Sequence, residues 1–243
     1  MGLFDFLFGG SVEQQIQKHA KRIKSKDTPI EDRQASAHWL AENGTPAAIR
    51  GLIGRFEMDY EHGMKDASEK EEVSQLLMGL GQSAVDPLRA CLLKTEKFAR
   101  PLALYAQLTS QDAAMRLTVE MIEAEATRAE LHPDKRRNLL VKLADFKDPS
   151  LVAVARSALP DYDEGCRYAA VEVLAAQDET AEVREGLIGA LVNPKEESTR
   201  LRARVANIAS TRRWALDAET VAALEARPVR GFVVRDGALV ATA

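Results

Sequence analysis

Arginine is the residue type in this chain that recurs with a spacing fit for chemistry. Arg50, Arg89, Arg116 and Arg184 each stand early in the second member of a helix pair. A guanidinium is a planar fork of donors that grips carboxylates or phosphates bidentately. A ladder of them along one surface would bind an acidic partner. The competing reading is that each arginine bridges neighbouring helix pairs through an acidic side chain. The copy opened by Asp148 departs from the pattern, with Arg156 one turn further along. A second basic group, Arg200, Arg202, Arg204, Arg212 and Arg213, lies near the C-terminus. On a helix Arg200 and Arg204 share a face while Arg202 points away, so this patch is looser than it looks.

Other reactive residue types are scattered. His19, His38, His62 and His132 fall on different expected elements with no partner spacing. Cys91 and Cys166 sit among apolar residues at helical spacing and read as small buried hydrophobes. No CxxC, CxxH or HExxH spacing occurs, so no metal or cofactor site is expected. A Gly-rich phosphate loop, a nucleophile elbow and a paired-carboxylate motif are likewise missing, and no catalytic residue is assigned. The acidic stretch Glu57 to Glu72, with Asp59, Glu61 and Asp66 inside it, reads as a solvated loop between helix pairs. A weak divalent-cation site is the minor alternative there, since hard oxygen ligands are present.

The first ten residues carry three of the seven phenylalanines: Leu3, Phe4, Phe6, Leu7 and Phe8 precede Gly9-Gly10, and Lys18, Lys21, Arg22, Lys24 and Lys26 follow. An aromatic plug beside basic residues suits three roles: a lid over the first repeat, a docking peptide for a partner groove, or an interfacial membrane anchor. Myristoylation is disfavoured because Phe6 stands where Ser or Thr is expected.

Helix signals dominate the elements that must position these residues. Ser11-Val12-Glu13-Gln14 is a capping box, followed by an apolar stripe of Val12, Ile16, Ala20 and Ile23. Thr28-Pro29 opens a helix that should stop at Gly44, and Thr45-Pro46 opens the next. Ser68-Glu69-Lys70-Glu71 is expected to cap a helix ending at Gly81, with Ser83 opening its partner. Later helices are expected over 97–108, 111–127, 133–145, 149–159, 164–176, 181–192, 198–211 and 218–227. Phe232 to Val240 reads as a hairpin turning at Asp236-Gly237. Openings of alternate helices (Thr45, Ser83, Ser110, Asp148, Thr180, Asp217) recur at helical-repeat spacing. One helix pair cannot bury its apolar face alone, whereas stacked pairs can.

The run Leu77-x-x-Leu80-Gly81-x-x-Ala84-Val85-x-Pro87-Leu88-x-x-x-Leu92 resembles the HEAT-like repeat, including the type found in phycobilisome-lyase proteins. Asp148-Pro149-x-Leu151-Val152 resembles that family's turn, and Leu40-x-x-x-Gly44-x-x-Ala47 is a fainter copy; the resemblance covers most of residues 28–216, and the copy around Gly81 is the strong one. It implies an all-α, right-handed α-α superhelix of about six helix pairs, with an extra N-terminal helix and a small C-terminal β-hairpin. The implied segments are 1–10 (hydrophobic), 11–216 (solenoid) and 217–243 (capping helix and hairpin). It also implies a scaffold or adaptor that binds a protein partner along its concave face; a minority of such proteins are enzymes, namely bilin lyases and DNA glycosylases. A glycosylase needs a basic groove with aromatics. Here aromatics are 5% and the net charge is −4, which gives no general pull toward nucleic acid. The last helices and hairpin have the outline of a winged helix, but Asp217, Glu219 and Glu225 would repel phosphates. No apolar run approaches a spanning length and no secretory signal is seen, so a cytoplasmic location is the default expectation.

Overall fold

The computed structural model describes residues 11–126 and 133–242. The N-terminal segment with Leu3, Phe4, Phe6 and Phe8, and also His132, lie outside the described residues. The chain forms two compact units, Met1–Met121 and Ile122–Ala243.

The first unit begins with α1 (Val12–Ile23), α2 (Ile30–Asn43) and α3 (Pro46–Ile53), closed by a 3-10 turn (Gly54–Glu57). Next come α4 (Gly63–Leu80), a 3-10 turn (Gly81–Ala84), α5 (Val85–Leu92) and α6 (Ala99–Leu108). Helix α7 (Gln111–Ala126) runs across the division. Local chemistry explains the boundaries. The Ser11 hydroxyl accepts the Gln14 N–H at 3.4 Å, and the Gln14 amide oxygen accepts the Ser11 N–H at 3.0 Å. Thr45 Oγ1 accepts the Ala48 N–H with Pro46 in the first turn, where its missing N–H leaves no donor stranded. Gly44 ends α2 in the left-handed region at φ 62°.

Packing forms two layers within this unit. Of the first helices, α2 rests on α4 and α4 on α6. Of the second helices, α3 rests on α5. Leu40, Ile49, Leu52, Leu77, Leu88 and Leu92 lie between the layers and are completely buried.

The same two-layer arrangement recurs in the second unit. It contains α8 (Pro133–Leu143), α9 (Ser150–Ala158), α10 (Glu164–Ala176), α11 (Ala181–Val192), α12 (Thr199–Thr211) and α13 (Ala218–Ala226). Here α8 rests on α10 and α10 on α12, while α9 rests on α11 and α11 on α13. Leu139, Leu151, Val171, Leu174, Leu187 and Val205 fill the interior. The chain ends in an antiparallel hairpin, β1 (Phe232–Arg235) and β2 (Ala238–Ala241), with Val233 opposite Val240. Asp236 and Gly237 take φ 49° and 71°, the tight turn expected of Asp-Gly. The hairpin lies on α12 and α13, which supplies the burial a lone hairpin lacks.

One expected boundary moved substantially. Helix α4 starts at Gly63, with His62 at its N-cap, so Ser68 lies inside the helix rather than capping it. The stretch expected as a solvated loop is therefore largely helical, and Asp66 and Glu69 are buried in it. Other boundaries shift by a few residues: Pro29 rather than Thr28 occupies the cap of α2, and α6 begins at Ala99 with Pro101 in its first turn.

Replacing Gly44 with Ala forces a β-carbon into a left-handed residue that only glycine adopts without strain. Its surroundings hold no clash, the nearest atom standing 3.7 Å away, so backbone strain alone should lower stability, by about 1–2 kcal/mol. Urea denaturation of Gly44→Ala against the parent reads this directly; an unchanged midpoint would refute it.

Candidate functional site

The second helices of the first unit carry the arginine row. Arg50 on α3, Arg89 on α5 and Arg116 on α7 each follow a buried core residue, Ile49, Leu88 and Met115, so each helix presents its arginine at the same turn relative to the core. All three are exposed. Arg50 and Arg116 make no hydrogen bond or ion pair among the described residues. Arg89 Nη2 instead donates to both carboxylate oxygens of Glu120, at 2.6 and 2.7 Å, tying α5 to α7.

Arg184 belongs to the second unit. It is half-buried, donates to the Ala215 carbonyl and lies 5.7 Å from the centre of the Trp214 ring. Trp214 is buried, donates from Nε1 to Glu179 at 2.8 Å and has Arg212 5.7 Å from its ring centre. Arg184 therefore braces the end of its unit, while Arg50 and Arg116 keep their donors free. Most of the basic group near the C-terminus is engaged in the same way, Arg212 donating to the Ala175 carbonyl, while Arg213 is exposed and makes no hydrogen bond or ion pair among the described residues. Arg200 and Arg204 clamp Glu164 and Glu172 of α10. Arg202 is buried and donates to the carbonyls of Leu191, Arg227 and Pro228. Burial and the neighbouring Arg227 charge both lower its pKa.

A feature the sequence reading missed is a buried ionic cluster in the first unit. Arg55, whose side chain is 1% exposed, donates to Asp66 at 2.5 Å and to Glu69 at 3.4 Å, and also to the Met58 carbonyl. Arg33 clamps Glu69 through Nε and Nη2 and donates to the Thr28 carbonyl. Lys70 completes the set, donating to Asp66 at 2.6 Å and Asp59 at 2.5 Å. The Tyr60 ring lies beneath both guanidinium groups, 4.0 Å from Arg55 and 4.5 Å from Arg33, and its hydroxyl donates to the Ile23 carbonyl. A shallow surface dip with room for little more than a water molecule adjoins the cluster and is lined by Arg33, Gln34, Glu69 and Glu72 among others.

The electrostatics of the cluster are those of a brace. Burial pushes the Asp66 carboxyl up, but hydrogen bonds from Lys70 and Arg55 outweigh it and its pKa falls below the ordinary value. Lys70 and Lys97 together hold Asp59 down to about 2. Asp59, Asp66 and Glu69 are engaged by Lys70, Lys97, Arg55 and Arg33, while Glu61 is exposed and makes no such contact among the described residues. No group of three or more His, Cys, Asp or Glu able to hold a metal occurs among the described residues. The signal for the cluster was present in sequence as Asp66, Glu69 and Lys70, which share one face at i, i+3 and i+4.

Of the two thiols expected to be buried hydrophobes, Cys166 is buried and Cys91 is half-buried. Cys166 is completely buried, donates to the Pro133 carbonyl at 3.5 Å and has its pKa pushed up to about 11, chiefly by burial. Burial also raises the Cys91 thiol. A reactive thiolate needs the opposite shift. No described helix is long and apolar enough to cross a membrane.

No family model matches the chain, and no curated protein matches it. Among solved structures, a crystal structure of an engineered protein aligns with 86% of this chain and 93% of its own at 17% identity, with a TM-score of 0.32. A superposition at that level carries no argument, and the HEAT-like resemblance rests on the residues quoted for it.

Two predictions follow from the cluster. Replacing Arg55 with Met leaves Asp66 and Glu69 buried with fewer counter-charges, which should destabilise the fold by about 3–5 kcal/mol; chemical denaturation measures it, and a loss below about 1 kcal/mol would show the pair to be dispensable. Asp59 and Asp66 have folded-state pKa values below their unfolded value of 3.8. The stability they confer is full above that value and is lost as the pH falls through the folded pKa, near 2 for Asp59. The denaturation midpoint should thus drop between pH 5 and pH 2, and Asp59→Asn should flatten part of that fall. Asp59 is exposed, so its share should shrink in high salt.

Proposed function

We propose that this chain is a HEAT-like scaffold or adaptor that binds an acidic segment of a protein partner through the second-helix arginines of its first unit. The observation that carries the reading is the contrast within the row. Arg50 and Arg116 are exposed with unengaged donors, whereas Arg89 and Arg184 are held by Glu120 and the Ala215 carbonyl. A guanidinium left free beside a rigid helical support is pre-organised for a carboxylate, because its backbone needs no ordering on binding. In this reading the helix pairs continue as one right-handed superhelix whose second helices line the concave side. Arg89 then positions α5 against α7 and so fixes the spacing between Arg50 and Arg116.

Charge reversal tests it. In an Arg50→Glu/Arg116→Glu double variant the melting temperature should stay within about 2 °C of the parent, as is usual for exposed sites. Capture of an acidic partner from the native lysate should be lost and should be salt-sensitive in the parent. Arg89→Glu should instead lower the melting temperature by placing like charges at Glu120. If the double variant captures the same proteins as the parent, the arginine row is not the binding surface.

A further inference from the structure

We propose that α1 is an acid-releasable element: protonation of His19 loosens the N-terminal half of this helix from α2 and α3. The geometry around His19 is that of a ring held neutral. It stacks on Trp39 of α2, with centroids 4.3 Å apart and planes 16° from parallel. Its Nδ1 is buried and has no hydrogen-bond partner. Neutral imidazole tolerates this by placing its lone pair there, but the imidazolium must carry a donor on both nitrogens. Protonation in place would therefore seal an unsatisfied N–H inside the contact.

The surrounding charges oppose protonation as well. Burial lowers the His19 pKa, and the charges of Arg22 and Lys18 lower it further. Among the described residues, the elements packed against α1 offer no compensating carboxylate. On α2, Glu31, Asp32 and Glu42 face solvent, Arg33 is bonded to Glu69, and His38 to Glu72. On α3 the charged residue is the exposed Arg50. In the following 3-10 turn Arg55 is enclosed by Asp66 and Glu69, and Glu57 is bonded to Lys24.

The attachment of α1 is uneven along its length, which sets which half moves. Its C-terminal end is held by Tyr60 donating to the Ile23 carbonyl at 2.8 Å and by Lys24 donating to Glu57 at 2.8 Å. Ile23 is 1% exposed. Nearer the N-terminus the anchors are Ile16 and the His19 ring, while Val12 on the same stripe is 55% exposed. Between the two ends, α1 lies directly on α3: a β-carbon on Gly51 would stand 2.9 Å from that of Ala20. When the first half swings away, the ring face of Trp39 becomes accessible, and the second half, with Ala20 on Gly51, stays tethered.

The direction of the pH effect follows from linkage. The folded pKa of His19 lies below the unfolded value of 6.5. Docking is therefore at full strength above pH 6.5 and weakens as the pH falls below it, until the folded form also protonates.

Hydrogen exchange of the full chain at pH 7.5 and pH 5, corrected for the intrinsic pH dependence of exchange, tests the idea. The opening of residues 12–19 should rise several-fold at pH 5 while residues 20–23 change little, and His19→Gln should abolish the difference. As a second readout, Trp214→Phe leaves Trp39 as the emitter, whose fluorescence should change with a midpoint below pH 6.5. Equal opening of residues 12–19 at both pH values overturns the proposal. So does a pH dependence that survives in His19→Gln, which would assign the effect to His38 or His62.

Discussion

The structure depends on one constraint: a helix pair cannot enclose its own apolar surface. A second helix such as α3 has Ile49, Leu52 and Ile53 all buried, and its neighbours α1, α2, α4 and α5 together supply the cover. Each added pair covers the previous one and exposes a new face, so the chain must either continue or end in a lid. In the first unit α1 lies over α2 and α3; in the second, α13 and the hairpin lie over α11 and α12. Elements that do not match the repeat thus stand where burial would otherwise be unfinished.

Apolar contact sets proximity but not register, because Leu and Ala surfaces slide with little penalty. Register falls to polar bonds between successive pairs. Arg89–Glu120, Arg100–Glu71, Arg33–Glu69, Arg167–Glu196 and Arg204–Glu172 join residues 31, 29, 36, 29 and 32 positions apart. Gln177 does the same through neutral groups, reaching the Phe146 carbonyl and the Asp148 N–H. Exposed pairs of this kind contribute little stability, but each is satisfied at one offset only. Arg55 and Glu69, which are buried, carry a stricter demand, since a slip would strand a charge in the interior.

The arginines illustrate how one residue type divides between these duties. Position in the repeat is the same for Arg50, Arg89 and Arg116, yet only Arg89 meets a carboxylate on the next second helix. Whether a given arginine braces the stack or remains available depends on what stands one repeat away. That is why both readings of the ladder stayed open from sequence, and why the row splits between them.

Helix identity and order were legible in the residues themselves. Ser11, Thr45, Thr180 and Asp217 accept the N–H groups their capping role requires, and Asp236-Gly237 turns the hairpin. These features act within four residues, so the chain carries them locally. The burial of Cys166 followed from its apolar spacing for the same reason. The start of α4 and the fate of the acidic stretch were decided by tertiary structure. Ser68 to Glu71 satisfies every local rule for a cap, but Arg55 and Arg33, 14 and 36 residues from Glu69, draw that carboxylate and Asp66 inward and the helix extends back to Gly63. A charge pair across such distances is invisible to local pattern, since its energy exists only once the intervening chain has folded back and excluded water.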